Sequence, residues 1–280
     1  APLSLSHLKH IGQNLREAHP LIRTGIVTDN TVIFTKPTFP GMEQVHIVRS
    51  TTRPGLTPSI ESFRQTFSTI SSNYQEIIAI LGSSGLSPAV EHAQLAVKEL
   101  RLPINIQIID SQTTAVGLGV LVQTAAESIQ HGIASTEICN QLRAMVRNIF
   151  AIFCLPDLTS LSKSGQIDQA QAIVGEMLGI VPIFVMENGH LIYIQKIRNP
   201  RHLIDTLFEF VMEFDRLKFL ALLRGETFFD AECHHLRERI TQNLRSPHLC
   251  EYAINPAVAT LLGPRTIGIS SVQALTKERL

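Results

Sequence analysis

Short apolar runs alternate with longer segments of helical period along the first half of the chain. The runs at 25–28, 44–48, 77–81 and 104–109 have strand length, while 87–100 and 116–131 repeat apolar positions at helical spacing. Strand, loop and helix recurring in this order predict crossover units and a parallel sheet. A further helix is predicted at 135–148. The second half has another rhythm. A strand at 149–155 is followed by a helix at 168–178, which Gly179 can end. Runs at 180–186 and 191–197 are joined by Glu187-Asn188-Gly189-His190, and Asn-Gly between strand-like runs predicts a hairpin turn. A helix at 200–216, a strand at 218–223, a helix at 230–244, a strand at 248–254 and a short helix from Pro256 complete the pattern. It predicts an α/β parallel-sheet domain at 24–148 and a smaller α+β domain at 149–280. Residues 1–23, with helical spacing at 8–18, read as an N-terminal extension.

A chain of 280 residues can bury two cores. Hydrophobic residues make up 44% and charged residues 17%, which leaves room for large cores, an oligomer interface or an apolar ligand pocket. Twenty-four basic residues balance twenty-four acidic ones, and the densest basic stretch, at 237–245, is interrupted by Glu238. That balance argues against nucleic acid, whose binding draws on neutralised phosphates. The cysteines at 139, 154, 233 and 250 form no C-x-x-C pair, so a reduced, cytoplasmic compartment is expected. No signal-peptide pattern opens the sequence, and no apolar run reaches the roughly 18 residues of a membrane span. Stable membrane insertion is not expected.

Two loops carry candidate chemistry. Gly82-Ser83-Ser84-Gly85-Leu86-Ser87 stands between a strand and a helix, as does Asp110-Ser111-Gln112-Thr113-Thr114 before Gly117-Leu118-Gly119. Ligands gather at the carboxyl ends of parallel strands, where free N–H groups and helix N-termini favour an anion. Serines there also serve as caps and turn residues without any ligand. Gly82-x-Ser84-x-Leu86 misses the last glycine of a hydrolase nucleophile elbow, and no phosphate-binding G-x-x-x-x-G-K-[ST] occurs. No metal site is expected: His234 and His235 are adjacent and point apart on a helix, and His7 and His10 lack an obvious third ligand.

These loops resemble those of the DegV family. Thr28-Asp29-Asn30-Thr31 resembles its T-D-S-T, Ser83-Ser84-Gly85-Leu86-Ser87 its S-S-G-L-S, and Ile109-Asp110-Ser111 with Gly117-Leu118-Gly119 its I-D-S…G-x-G. Leu161 to Ile167 resembles the L-x-x-G-G-R-I segment, Ile180 to Ile183 the I-K-P-I strand, and Gly263-Pro264-x-x-Ile267-Gly268 the closing G-P-G-A-L-G. Each motif is weak alone; together, in order from about residue 24 to 270, they are specific. The resemblance implies a parallel-sheet domain packed on a smaller α+β domain with one long-chain fatty acid between them. It implies a lipid-binding carrier without catalytic residues or cofactor, the fatty acid being the ligand. It assigns the carboxylate to Ser84, with Ser83 and Gly85 beside it, and to an upstream threonine. Thr57 is that threonine by type, although alignment through Phe63 sets Gly55 at its place. Several members present the bound acid to a separate fatty acid kinase. Here Gln166 replaces the family's arginine and Leu261 its histidine, which weakens the case for a kinase partner; Arg265 is the candidate compensating cation. Segments 173–178 and 180–186 are candidate tunnel walls. The alternative reading is a serine-dependent hydrolase of small esters.

Overall fold

β1 (Thr24–Asp29) is buried along its whole length, as a parallel strand must be when helices cover both faces of its sheet. The computed structural model describes residues 23–274 apart from 51–54, 101–102, 198, 227–228 and 246. The helical spacing at 8–18 therefore lies outside the described residues. With β2 (Val45–Val48), β3 (Glu76–Leu81) and β4 (Asn105–Asp110), β1 forms a four-stranded sheet in the order β2-β1-β3-β4. Every pairing in it is parallel. One face packs on α1 (Ile60–Ile70) and α2 (Ala89–Glu99), through Phe63, Phe67, Ala93 and Ala96 against Val27, Ile77 and Ala79. The other packs on α3 (Ala115–Gln130) and α4 (Ser135–Val146), through Leu118, Leu121, Ile138 and Leu142 against Ile26, Ile78 and Ile80. Odd and even positions of β1 thus serve different cores, as the two-residue pleat requires.

The chain then builds a second sheet. Its members are β5 (Ile149–Cys154), β6 (Pro182–Glu187), β7 (His190–Lys196), β8 (Leu217–Arg224), β9 (Leu249–Ala253) and β10 (Ile267–Gln273), in the order β7-β6-β5-β10-β8-β9. Only β8 and β9 run parallel; the other pairings are antiparallel. The outer face carries α7 (Pro200–Met212) and α8 (Asp230–Asn243), with Leu203, Leu207, Cys233 and Leu236 over Ile152, Leu220 and Ile269. The helix expected at 200–216 stops at Met212, and Phe214 turns in against Phe150 and Phe210.

The inner face meets the first sheet's helical layer. Ala151, Phe153, Ala221 and Leu223 share one buried apolar cluster with Leu86, Ala115 and Val116 of the first half. α5 (Leu158–Lys163), α6 (Gln169–Met177) and α9 (Pro256–Leu262) border this layer through Leu158, Leu161, Ala172, Val258 and Leu261. α3 is consequently enclosed between the two sheets. The two candidate walls divide. β6 turns Phe184 toward the inner layer. α6 turns only Ala172 and Gly175 inward and leaves Ile173, Val174, Met177 and Leu178 exposed, so its large side chains do not wall an internal tunnel. The helix expected at 168–178 is present, but its small residues rather than its large apolar ones are those that pack.

Candidate ligand-binding site

The carboxyl ends of β1, β3 and β4 converge, and Asp29 joins the first two. It is fully buried, with Oδ2 accepting from the Gly82 N–H at 2.6 Å. Oδ1 accepts from the N–H and the hydroxyl of Thr31 at 2.9 and 2.6 Å. Burial pushes this carboxyl above its ordinary pKa, while those three hydrogen bonds oppose the rise. The next residue ties a further segment: Asn30 Nδ2 donates to the Leu56 carbonyl at 2.8 Å. Consecutive residues thereby hold both the 82–87 loop and the segment containing Thr57. Thr57 is half-buried, and Ser59, two residues on, caps α1 by accepting from Ser62 N–H. A cavity of about 340 Å³ lies beside Asn30 and Gly55, bounded also by Val32, Ile47 and Pro256. That volume falls within the roughly 300–1,000 Å³ usual for small-molecule sites.

Ser83 and Ser84 are neighbours with opposite fates. Ser83 is buried, its amide donating to the Thr113 carbonyl at 2.8 Å and its hydroxyl to the Gly189 carbonyl at 2.5 Å. Gly85 N–H in turn donates to Ser83 Oγ at 3.2 Å. Ser84 is exposed and donates its hydroxyl to Asp110 Oδ2 at 2.5 Å. Asp110 Oδ1 accepts from the amides of Ser84 and Gln112 at 3.3 and 2.9 Å. Gln112 holds positive φ at 51°, as does Ala115 at 53°, in the turn that leads into α3. Buried within this region, the side-chain oxygens Thr28 Oγ1, Asn30 Oδ1 and Thr114 Oγ1 have no hydrogen-bond partner among the described residues.

The second half covers the loop. The β6–β7 turn places Gly189, at φ 84°, over Ser83. A Cβ on Gly85 would collide with the Gly189 carbonyl and stand 2.7 Å from His190 Nδ1, so glycine is required by the close approach. Gln166, where an arginine was the family expectation, donates from Nε2 to the Gly85 carbonyl at 3.1 Å. Leu261 is buried in the inner apolar layer. Arg265 is held by Asp157: its amide donates to Oδ2 at 2.8 Å, and Nε and Nη2 reach Oδ1 at 2.6 Å.

The structure therefore brings Ser83, Ser84 and Gly85 together and ties the Thr57 segment to Asn30, while Arg265 is engaged by Asp157. Asp29, Asp110, Gly189 and His190 belong to the same neighbourhood; the sequence set them in candidate motifs and in the hairpin turn but named none of them as a ligand-binding residue. The Asn-Gly hairpin signal was visible; where the hairpin lands was not. The described residues contain no cluster of His, Cys, Asp or Glu suited to a metal ion, and no described helix is long and apolar enough to cross a membrane.

Comparison with known proteins matches this arrangement. The profile of the family described as "Uncharacterised protein, DegV family" covers residues 28–274. A DegV domain-containing protein of Staphylococcus aureus is 30% identical over 204 residues, spanning 71% of this chain and 69% of its own. The fatty acid binding DegV family protein of Streptococcus agalactiae superposes with a TM-score of 0.77 at 17% identity, covering 91% of this chain and all of its own. The Fatty Acid Kinase (Fak) B3 protein of Streptococcus pneumoniae, solved loaded with linoleic acid, superposes with a TM-score of 0.73 at 16% identity, covering 90% of this chain and all of its own. The parallel four-stranded sheet, the mixed six-stranded sheet and the motifs at their junction are those of one family, and this chain belongs to the DegV family.

Proposed function

We propose that this protein binds one long-chain fatty acid, holding the carboxylate at the Ser83–Gly85 loop and the chain against the apolar layer between the two sheets. The observation that carries the reading is the position of that loop. Its hydroxyls and amides lie at the carboxyl ends of parallel strands, and Leu86, one residue on, is part of the apolar layer to which both halves contribute. Apolar burial at roughly 0.8 kcal/mol per CH₂ supplies affinity. A carboxylate taken out of water needs hydrogen bonds, so the polar end sets orientation. Thr28 Oγ1, Asn30 Oδ1 and Thr114 Oγ1, which have no partner among the described residues, are further polar atoms for that end. The fatty acid binding of the Streptococcus agalactiae relative and the linoleic acid bound by the Streptococcus pneumoniae one support the same reading.

In this reading the protein carries its ligand and performs no chemistry on it. Both loop serines already spend their protons, Ser83 on a backbone carbonyl and Ser84 on a carboxylate. Presentation to a fatty acid kinase is the extension of this role, with the carboxylate reached from the exposed side of Ser84. Native mass spectrometry of the purified protein is the test. A mass excess over the denatured chain equal to one long-chain fatty acid supports the carrier; a bare chain that takes up no added fatty acid overturns it.

A further inference from the structure

The carrier reading leaves an electrostatic problem at the loop. Asp110 already occupies the Ser84 hydroxyl and amide, so an incoming carboxylate meets a fixed carboxylate of like charge. A basic or donor group is needed beside it. Gln166 is uncharged and Leu261 is apolar. Arg265 spends its amide, Nε and Nη2 on Asp157.

The hairpin supplies another group. His190 opens β7, directly after Gly189, and the Gly189 carbonyl is pinned by Ser83 Oγ at 2.5 Å. This bond fixes the first residue of the strand over the loop. The ring follows: Nδ1 and Cε1 of His190 lie 2.7 and 2.9 Å from where a Gly85 Cβ would stand. Across the hairpin His190 is paired with Glu187. An imidazole is a hydrogen-bond donor in its neutral form and a stronger one when protonated.

Resting on the fatty acid reading, we propose that His190 is a ligand-binding residue that donates a hydrogen bond to the carboxylate at the Ser83–Gly85 loop. The hairpin tip is then part of the head-group site, and the second half of the chain contributes a polar contact as well as apolar surface.

The test measures affinity for one fatty acid, such as oleate, in the unmodified protein and in His190→Ala, His190→Leu and His190→Lys. His190 is exposed at a strand end, so these variants should fold alike. Loss of a charge-assisted hydrogen bond should weaken His190→Ala and His190→Leu by roughly tenfold, with His190→Lys restoring most of the affinity. If Leu binds as tightly as Lys, the ring only packs and the proposal fails. It fails equally if no variant changes affinity. Absence of oleate binding by the unmodified protein overturns the carrier reading itself, and this assignment with it.

Discussion

The Ser84 hydroxyl donates to Asp110 Oδ2 at 2.5 Å, joining the ends of β3 and β4 through a carboxylate that the protein itself provides. In the proposed complex the fatty acid carboxylate must share or displace that partner. Asp110→Asn keeps an acceptor for the Ser84 and Gln112 amides while removing the charge. It should tighten fatty acid binding by up to about 1 kcal/mol, the scale of exposed charge interactions. Ser84→Ala should weaken binding by about 1–3 kcal/mol, because a bound carboxylate that takes the place of Asp110 on this hydroxyl loses its donor. Isothermal titration with both variants reads the two signs, and coincident isotherms would remove Ser84 from the site.

Gly85 is the residue over which the hairpin closes. Gly85→Ala puts a methyl group against the His190 ring and into the Gly189 carbonyl, and that carbonyl cannot retreat without straining the Ser83–Gly189 bond. A cost of about 1–3 kcal/mol is expected, as for overpacked cores. The melting temperature should fall and fatty acid binding should weaken together. A variant with wild-type stability would show that the hairpin is not seated on this loop.

Asp29 gives a pH dependence with a definite sign. Burial raises its carboxyl pKa in the folded protein, so the native state binds its proton more tightly than the unfolded chain. The linked contribution to stability is fully present below the unfolded pKa, about 3.9, and is lost as pH rises through the folded value. Compared with Asp29→Asn, the wild type should therefore gain stability as pH falls from neutrality toward that value, then level off. At pH 7 the Asn variant should still be less stable by about 1–3 kcal/mol, since one side-chain atom now faces the Gly82 N–H as a donor. Urea titrations across the pH range test both statements; parallel profiles would place the titration elsewhere.

The loop serines are expected to be poor nucleophiles. Ser84 directs its proton to Asp110 and Ser83 to the Gly189 carbonyl, whereas an activated serine gives its proton to a base such as histidine. Short p-nitrophenyl esters should be hydrolysed no faster by the wild type than by Ser84→Ala. Turnover that depends on Ser84 would favour a hydrolase instead.

Kinase presentation can be examined at Gln166, whose amide stands on the Gly85 carbonyl. An arginine there would set a fixed positive charge near a forming acyl phosphate. Gln166→Arg should raise acyl-phosphate formation when ATP and a bacterial fatty acid kinase are supplied. Leu261→His is the poorer companion change, because Leu261 is buried in the inner apolar layer. Full phosphorylation by the unmodified protein, unaffected by Gln166→Arg, would show that this position is not limiting.

The first sheet was legible because each of its strands is a short apolar run followed by helix or loop punctuation. The hairpin was legible through Asn188-Gly189. Three elements escaped. β10 reads Ile267-Gly268-Ile269-Ser270-Ser271-Val272-Gln273 and looks too polar for an interior strand, yet Ser270 and Ser271 are buried because it is paired on both sides. α1 hides a helical stripe of Ile60, Phe63, Phe67 and Ile70 among serines and threonines. α5 is too short to show a period. At the site, the serine loop was readable as a strand–helix junction. The Asp110 clamp and the hairpin cover were not, since both depend on partners 26 and 106 residues away that only tertiary packing selects.

The place of β10 bears on how the second half is assembled as it is synthesised. β5, β6 and β7 can form a meander among themselves, and β8 with β9 can form a crossover unit. No strand pairing joins the two groups until β10, later in the chain than either, slots between β5 and β8. Until then β5 and β8 each present an open edge of unpaired amides and carbonyls, the kind of edge that invites pairing with other chains. A ribosome-bound chain lacking β10 should therefore hold two separate strand groups and depend on shielding from its neighbours. The inner apolar face, and any lipid that lies on it, becomes continuous only with that last insertion.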